Sequence, residues 1–137
     1  MPGRHNIHLT EYIIVYIFYI MNIEPNELFA ALSHETRLRC LMLLMQHDEL
    51  CVCELTYAIG AAQPHISRHL GQLRELGLVS DRREGLWIHY RVNQALHDWV
   101  RQVLQATAEG AGHQAPFTTD ARTLSAMANR PSAQRCA

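Results

Sequence analysis

At 137 residues, with 48% apolar and 18% charged side chains, the chain has the composition of one globular domain with a real core, not of a disordered segment. A formal net charge of −1 excludes a globally basic nucleic-acid coat, so any DNA-facing positive charge must be local. The charge is local: all 12 cationic residues are Arg, and Arg68, Arg74, Arg82, Arg83 and Arg91 crowd into one stretch.

The chain opens oddly, because residues 12–20 are all β-branched or aromatic. The run is too short for a bilayer, which needs about 20 apolar residues. Arg4 precedes it as in an export signal, but no small-residue cleavage site follows. An added strand or helix is a second reading. A third takes the run as translated upstream DNA, since its codons are AT-rich against an Arg-, Ala-, Gly- and Leu-rich remainder, with Met21 the natural start. Residues 1–20 are therefore set apart as an atypical extension that need not be native, and no membrane partner is expected.

Leu28, Phe29 and Leu32 fall at helical spacing in a short first helix over residues 24–32, with Pro25 in its first turn. Ser33 is the expected N-cap of a second helix reaching Gln46, with Leu38, Leu41, Met42 and Met45 on its buried face. Asp48 and Glu49 break the pattern. A third helix spans residues 51–59 and stops at Gly60. A fourth, with Pro64 in its first turn, buries Ile66, Leu70, Leu73 and Leu76 and ends at Gly77. Two strands follow at residues 78–82 and 86–92, the second alternating Ile88, Tyr90 and Val92 with Trp87, His89 and Arg91. A last helix over residues 94–108 carries Leu96, Val100, Val103 and Leu104 on one side. Residues 110–137, poor in large apolar side chains, read as a flexible tail.

That order gives a mainly α fold with a small β-hairpin: a winged helix-turn-helix over residues 21–109, with amphipathic flanking helices available for a homodimer. In the fourth helix the face opposite the apolar stripe carries Arg68, with His65 and Ser67 on its flanks. A helix entering a major groove uses its N-terminal half. Gln63, His65, Ser67, Arg68 and His69 are therefore the candidate DNA contacts, Gln suiting adenine, Arg guanine or phosphate, and Ser phosphate. Arg82 and Arg83, placed at the hairpin tip, would reach phosphates or a minor groove.

Four Cys (Cys40, Cys51, Cys53, Cys136) without a convincing secretory signal read as thiols of the cytoplasm, not a disulfide framework. Cys40 sits in an apolar run, where a buried inert thiol is expected. Cys51 and Cys53 lie just before the reading helix, a thiol pair able to take a soft metal or metalloid and release DNA. A helix N-terminus favours thiolates, while Asp48, Glu49 and Glu54 oppose ionisation. In a regular helix residues i and i+2 point nearly apart. Chelation is therefore expected to unwind the first turn and to move His65–Arg68 through residues 60–62. The nine His are scattered without ligand spacing and read as surface or DNA-facing groups.

The segments Cys51–Leu55, Gln63–Leu70, Leu73–Val79 and Gly85–Arg91, with Leu32–Arg39, resemble the ArsR/SmtB repressors, most closely their arsenic-responsive branch. The resemblance covers residues 24–105. It implies a homodimeric repressor of a resistance operon, bound to operator double-stranded DNA and released by As(III) or Sb(III), with no permanent cofactor. Many members of the branch place a third Cys where this chain has Thr56, and a Ser where it has Ala62. Cys136, a small-molecule thiol or water are the candidates for a third ligand. A thiol redox or persulfide sensor of the same fold is the alternative. A thiol reductase is disfavoured, because Cys-x-Cys in a helical run lacks the strand-to-helix CxxC turn that a thiol enzyme uses, and a metal chaperone would not need the Arg-tipped wing.

Overall fold

The computed structural model describes residues 2–131. In chain order the elements are α1 (Pro2–Met21), α2 (Pro25–Leu32), α3 (Glu35–Gln46), β1 (Leu50–Cys51), α4 (Val52–Ile59), α5 (Gln63–Leu76), β2 (Val79–Glu84), β3 (Trp87–Val92), α6 (Asp98–Ala111) and α7 (Phe117–Ala126). This is the mainly α, winged helix-turn-helix architecture expected from the sequence, with two elements the pattern did not announce: β1 and α7.

The core is built around α3, in which Cys40, Leu41, Met42, Leu43 and Leu44 are all buried. A helix buried nearly all round needs neighbours on every side, and here α2, α4, α5, α6 and α7 supply them. Leu38 and Met45, expected on its buried face, are only partly covered. Ser33 does not cap this helix. Its hydroxyl donates to the Ala30 carbonyl at 2.7 Å as α2 ends. The N-cap is His34, whose Nδ1 accepts from the Thr36 N–H.

The α4–α5 corner turns on Gly60, at φ 76°, and α5 ends on Gly77, at φ 88°. Both positions lie in the left-handed region that a side chain disfavours, so these two glycines fix where the helices stop. Ile66, Leu70 and Leu73 anchor α5 in the core as the apolar stripe predicts.

The sheet is antiparallel in the order β1-β3-β2. Its hairpin turns at Gly85 and Leu86, with Gly85 at φ 59°. Arg82 and Arg83 therefore lie inside β2, not at the tip, which corrects their expected placing. The true tip carries Leu86, 99% exposed, beside the half-exposed Trp87. β1 is only Leu50 and Cys51, paired opposite Tyr90 and His89 of β3. Two residues cannot show a period, so β1 is invisible to pattern reading.

The expectation of a flexible tail over residues 110–137 is overturned for the described part. α7 packs on α3 and α4, with Leu124 fully buried and Phe117 and Met127 joining the same core. Its apolar residues are few, but they are spaced to fall on one face. A bidentate ion pair adds to them: Arg39 donates from Nε and Nη2 to the two oxygens of Asp120 at 2.8 and 2.7 Å. At the other end α1 is a helix, one of the forms considered for the opening run. Leu9, Tyr12, Ile13, Ile14, Val15, Tyr16 and Ile17 along it are all exposed. Among the described residues no helix is long and apolar enough to cross a membrane.

Candidate functional site

Cys51 is the N-cap of α4 and the last residue of β1, with extended backbone at φ −73° and ψ 151°. Cys53 stands two residues on, inside the first turn. Because Cys51 is outside the helix, the opposed i and i+2 directions of a regular helix do not apply, and the two Sγ atoms lie 3.1 Å apart. The expected need to unwind the turn on chelation is thereby removed. A metal–thiolate bond of ~2.3 Å lets sulfurs up to about 4.6 Å apart share one ion. The pair is already converged.

A capping box holds it. Glu54, fully buried, accepts the Cys51 N–H on Oε1 at 2.9 Å, while Cys51 Sγ accepts the Glu54 N–H. Arg130 Nε donates to the second Glu54 oxygen at 2.8 Å, which satisfies a carboxylate that burial alone would make costly. Burial first, then the hydrogen bond and charge of Cys51 and the charge of Glu54, push the Cys53 thiol up to about 12. The helix-terminus argument for a lowered Cys53 pKa therefore loses to desolvation and to its acidic neighbours. Burial likewise pushes the Cys40 thiol up to about 12, as suits an inert core group.

The thiol pair has two mechanical neighbours. Through α4 and Gly60–Ala62 it leads into the reading helix. Through β1 it is part of the wing sheet, Cys51 facing His89 across the ladder. Glu49, just before β1, binds Arg82 of β2 with two hydrogen bonds of 2.7 and 2.6 Å. Arg82 is thus a wing-to-thiol-loop tie, also paired with Glu84 at 2.8 Å, and not a free cation awaiting phosphate. Arg74 is paired with Asp81 at 2.9 Å. Of the clustered arginines, Arg68 and Arg83 remain as exposed groups without a carboxylate partner at salt-bridge distance among the described residues.

On α5 the structure divides the predicted DNA contacts. Gln63, Ser67 and Arg68 are exposed, and His65 is partly covered, its Nδ1 meeting Arg68 at 3.0 Å and its Nε2 meeting Thr36 Oγ1 at 3.3 Å. His69 is buried and turned inward, which corrects its placing among the DNA contacts. Its position on the wheel sits beside the Leu70 stripe, and Arg37 meets its Nδ1 at 3.3 Å. Its ring lies 4.2 Å from that of His34 and 4.5 Å from that of His65. Three imidazoles from α5 and the start of α3 thus gather where the sequence suggested scatter. Only the tertiary approach of α3 and α5 brings them together, so no spacing rule finds them.

Among the described residues no group of three or more His, Cys, Asp and Glu is placed to hold a metal ion. Thr56, in place of a third thiol, keeps its Oγ1 buried without a hydrogen-bond partner among the described residues. Cys136 lies outside the described residues, six positions beyond the anchored Arg130.

The family described as bacterial regulatory protein, arsR family, matches residues 34–81, from the cap of α3 into β2. The arsenic resistance transcriptional regulator ArsR2 of Pseudomonas putida is 49% identical over 87 residues, 64% of this chain and 76% of that protein. The arsenical resistance operon repressor of Escherichia coli is 46% identical over 80 residues, 58% of this chain and 68% of that protein. Among solved structures, the transcriptional repressor BigR from Xylella fastidiosa superposes with a TM-score of 0.55 at 36% identity, over 63% of this chain and 84% of that one.

Proposed function

The chain belongs to the ArsR family of bacterial regulatory proteins, DNA-binding transcriptional regulators and not enzymes, and on that premise we propose that it is a homodimeric repressor released from its operator by As(III) or Sb(III) on Cys51 and Cys53. One observation carries the reading: two sulfurs 3.1 Å apart at the joint of the wing sheet and α4, the helix that leads into the reading helix. The relatives whose names include arsenic resistance give the inducer its class. Trivalent arsenic and antimony are soft acids that prefer thiolates, and the converged pair offers two.

For the third position we propose Cys136. Arg130 fixes the chain beside Glu54, and six residues can span up to about 20 Å, so the tether is long enough for that thiol to reach the pair. Thr56 Oγ1 is a hard donor and a poor substitute. On the DNA side Gln63, His65, Ser67 and Arg68 face the groove, Arg83 reaches the backbone from the wing, and Arg82 acts by holding the wing to Glu49. Two matching reading helices require a dimer. The exposed apolar faces of the flanking helices, Phe29 of α2 among them, are what it would cover.

Operator binding followed by fluorescence anisotropy tests this. Arsenite is expected to release the wild type and to leave the Cys51→Ser/Cys53→Ser protein bound. Cys136→Ser is expected to need roughly tenfold more arsenite, about the 1.4 kcal/mol that one lost ligand contact of modest strength represents. Release of wild type by an oxidant and not by arsenite would make the pair a redox sensor instead.

The protonated Cys53 gives a second handle. In neutral water arsenous acid carries hydroxyls, so each S–As bond that forms sends the thiol proton off with one of them as water. A divalent cation has no hydroxyl to give and must expel the proton into solution. Between pH 6 and 8 arsenite binding is expected to be nearly flat, whereas cadmium affinity is expected to climb about tenfold per unit as the Cys53 proton is displaced. A cadmium titration as flat as the arsenite one would contradict this.

A further inference from the structure

The family match ends at residue 81, yet the segment best placed to govern the thiol site lies far beyond it. α7 packs along α4, and two polar ties grip that helix at its opposite ends. At the C-terminal end Arg39 Nη2 donates to the Ile59 carbonyl at 3.2 Å and to Asp120 of α7 at 2.7 Å. At the N-terminal end Arg130 holds the buried Glu54, whose other oxygen holds the Cys51 N–H. The carboxylates of both ties are almost wholly buried, at 1% exposure for Asp120 and 0% for Glu54.

We propose that residues 117–130 are a coupling strap, with Arg130 its positioning residue, which makes α4 answer a ligand on Cys51 and Cys53 as one rigid body. The inference rests on the thiol-switch reading. A metalloid bound to Cys51 Sγ takes away the acceptor that now caps the Glu54 N–H, so the first turn of α4 is where the disturbance begins. With that turn free to fray, the disturbance ends there. With Glu54 pinned by Arg130 and the far end pinned through Arg39 and Asp120, local fraying would break buried ion pairs. The whole helix shifts instead, and Gly60–Ala62 pass the shift to α5. The strap therefore sets the coupling between inducer and DNA, not the affinity for either.

The experiment compares full-length wild type, Arg130→Gln, Arg130→Lys and the Glu54→Gln/Arg130→Gln double variant. The double variant removes both charges, leaves an amide oxygen for the Cys51 N–H, and avoids a buried unpaired carboxylate that could unfold the single variant. The readout is the operator Kd with saturating arsenite divided by the Kd without it. Allosteric factors run roughly 5- to 150-fold, and both Gln variants are expected to lose at least about fivefold of the wild-type ratio while still binding arsenite by calorimetry. Arg130→Lys is expected to recover most of it. A merely structural role lowers Tm and weakens DNA binding in both states alike, and an unchanged ratio with a lowered Tm overturns the proposal.

Amide exchange over Val52–Ile59 in arsenite-free protein separates the two readings. If arsenite fails to release wild type, the thiol switch falls. The grip then stands only if exchange is faster in Arg130→Gln and normal in Arg130→Lys. Equal exchange in all of them overturns it.

Discussion

The two ends of this chain invert the usual relation between composition and packing. α1 holds the richest apolar run of the molecule and leaves Tyr12, Ile14, Val15 and Tyr16 more than half exposed. α7, drawn from a Gly-, Ala- and Thr-rich stretch, buries Leu124 and Asp120 almost completely. Apolar content says how much a segment gains from a partner. It does not say whether the chain itself supplies one. α7 finds a groove between α3 and α4 already furnished with Arg39 and Glu54, while α1 departs at Asn22, tied to Trp99 Nε1 at 3.1 Å, and its described side chains from His8 to Ile17 are all exposed.

The sharpest way to break that contrast is to remove the groove's polar anchor. Asp120→Ala leaves Arg39, itself four-fifths covered, with the exposed Glu35 at 3.5 Å as its remaining carboxylate, and loss of one partner of such a buried pair costs about 3–5 kcal/mol. Leu124→Ala is expected to cost a similar 2.7–5 kcal/mol through the lost transfer energy and the cavity left behind. Both are read from urea unfolding of the full chain. The internal control is Arg74→Ala, whose ion pair with Asp81 is open to water and whose loss is expected to leave the unfolding midpoint almost unmoved. Equal effects at Asp120 and Arg74 would mean that α7 is a surface attachment after all.

How far each region was legible follows from the same contrast. The reading helix could be found because its stripe of Ile66, Leu70 and Leu73, its Pro64 and its Gly77 all lie within one local pattern. The thiol pair is visible in the sequence as two residues, but its geometry is not. Placing Cys51 inside the helix, one residue from its true place at the cap, predicted diverging sulfurs where they converge. That placement depends on β1, and β1 exists only because β3, about forty residues later, pairs with it. His69 was sent to the wrong face for a related reason. Its inward turn is dictated by Arg37 and His34 across a helix–helix contact, not by anything on α5. α7 was missed because composition masked a workable spacing, Phe117, Leu124 and Met127, and because the carboxylate that completes it has its partner 81 residues upstream.

Acid sharpens the contrast from another side. Burial first, then the charges of His34, His65 and Arg37, hold the His69 imidazole below its usual range. Burial and then the charge of Arg130 do the same to His47, with Glu54 opposing. Below about pH 6.5 the unfolded chain takes up protons that these folded sites refuse. Unfolding then binds protons, so stability falls as pH falls and levels off only once pH drops beneath the folded values. The Tm is expected to decline from pH 7 to pH 5. Arg130→Gln, which relieves one of the charges on His47, is expected to shallow the decline, whereas substitutions in α1 are expected to leave it alone. A slope unchanged by Arg130→Gln would show that the strap's charge does not reach His47.

The smallest effect in the isolated chain belongs to the element with the longest apolar run. Ile13→Ser, Ile14→Ser and Ile17→Ser change groups that water already touches, and such surface changes stay within about ±0.5 kcal/mol. Stability measured at high dilution is therefore expected to be blind to them. Concentration supplies the contrast. If a second copy covers α1, each Ile buried there contributes about 1.5–3 kcal/mol to association. The triple variant is then expected to shift the monomer–dimer midpoint by several orders of magnitude in sedimentation velocity, with Tm becoming independent of protein concentration. Operator binding is expected to weaken with it, because a lone reading helix forfeits the second half-site. Were the triple variant to dimerise like wild type, the cover would have to come from α2 and α6, and α1 would play no part in the assembly that reads DNA.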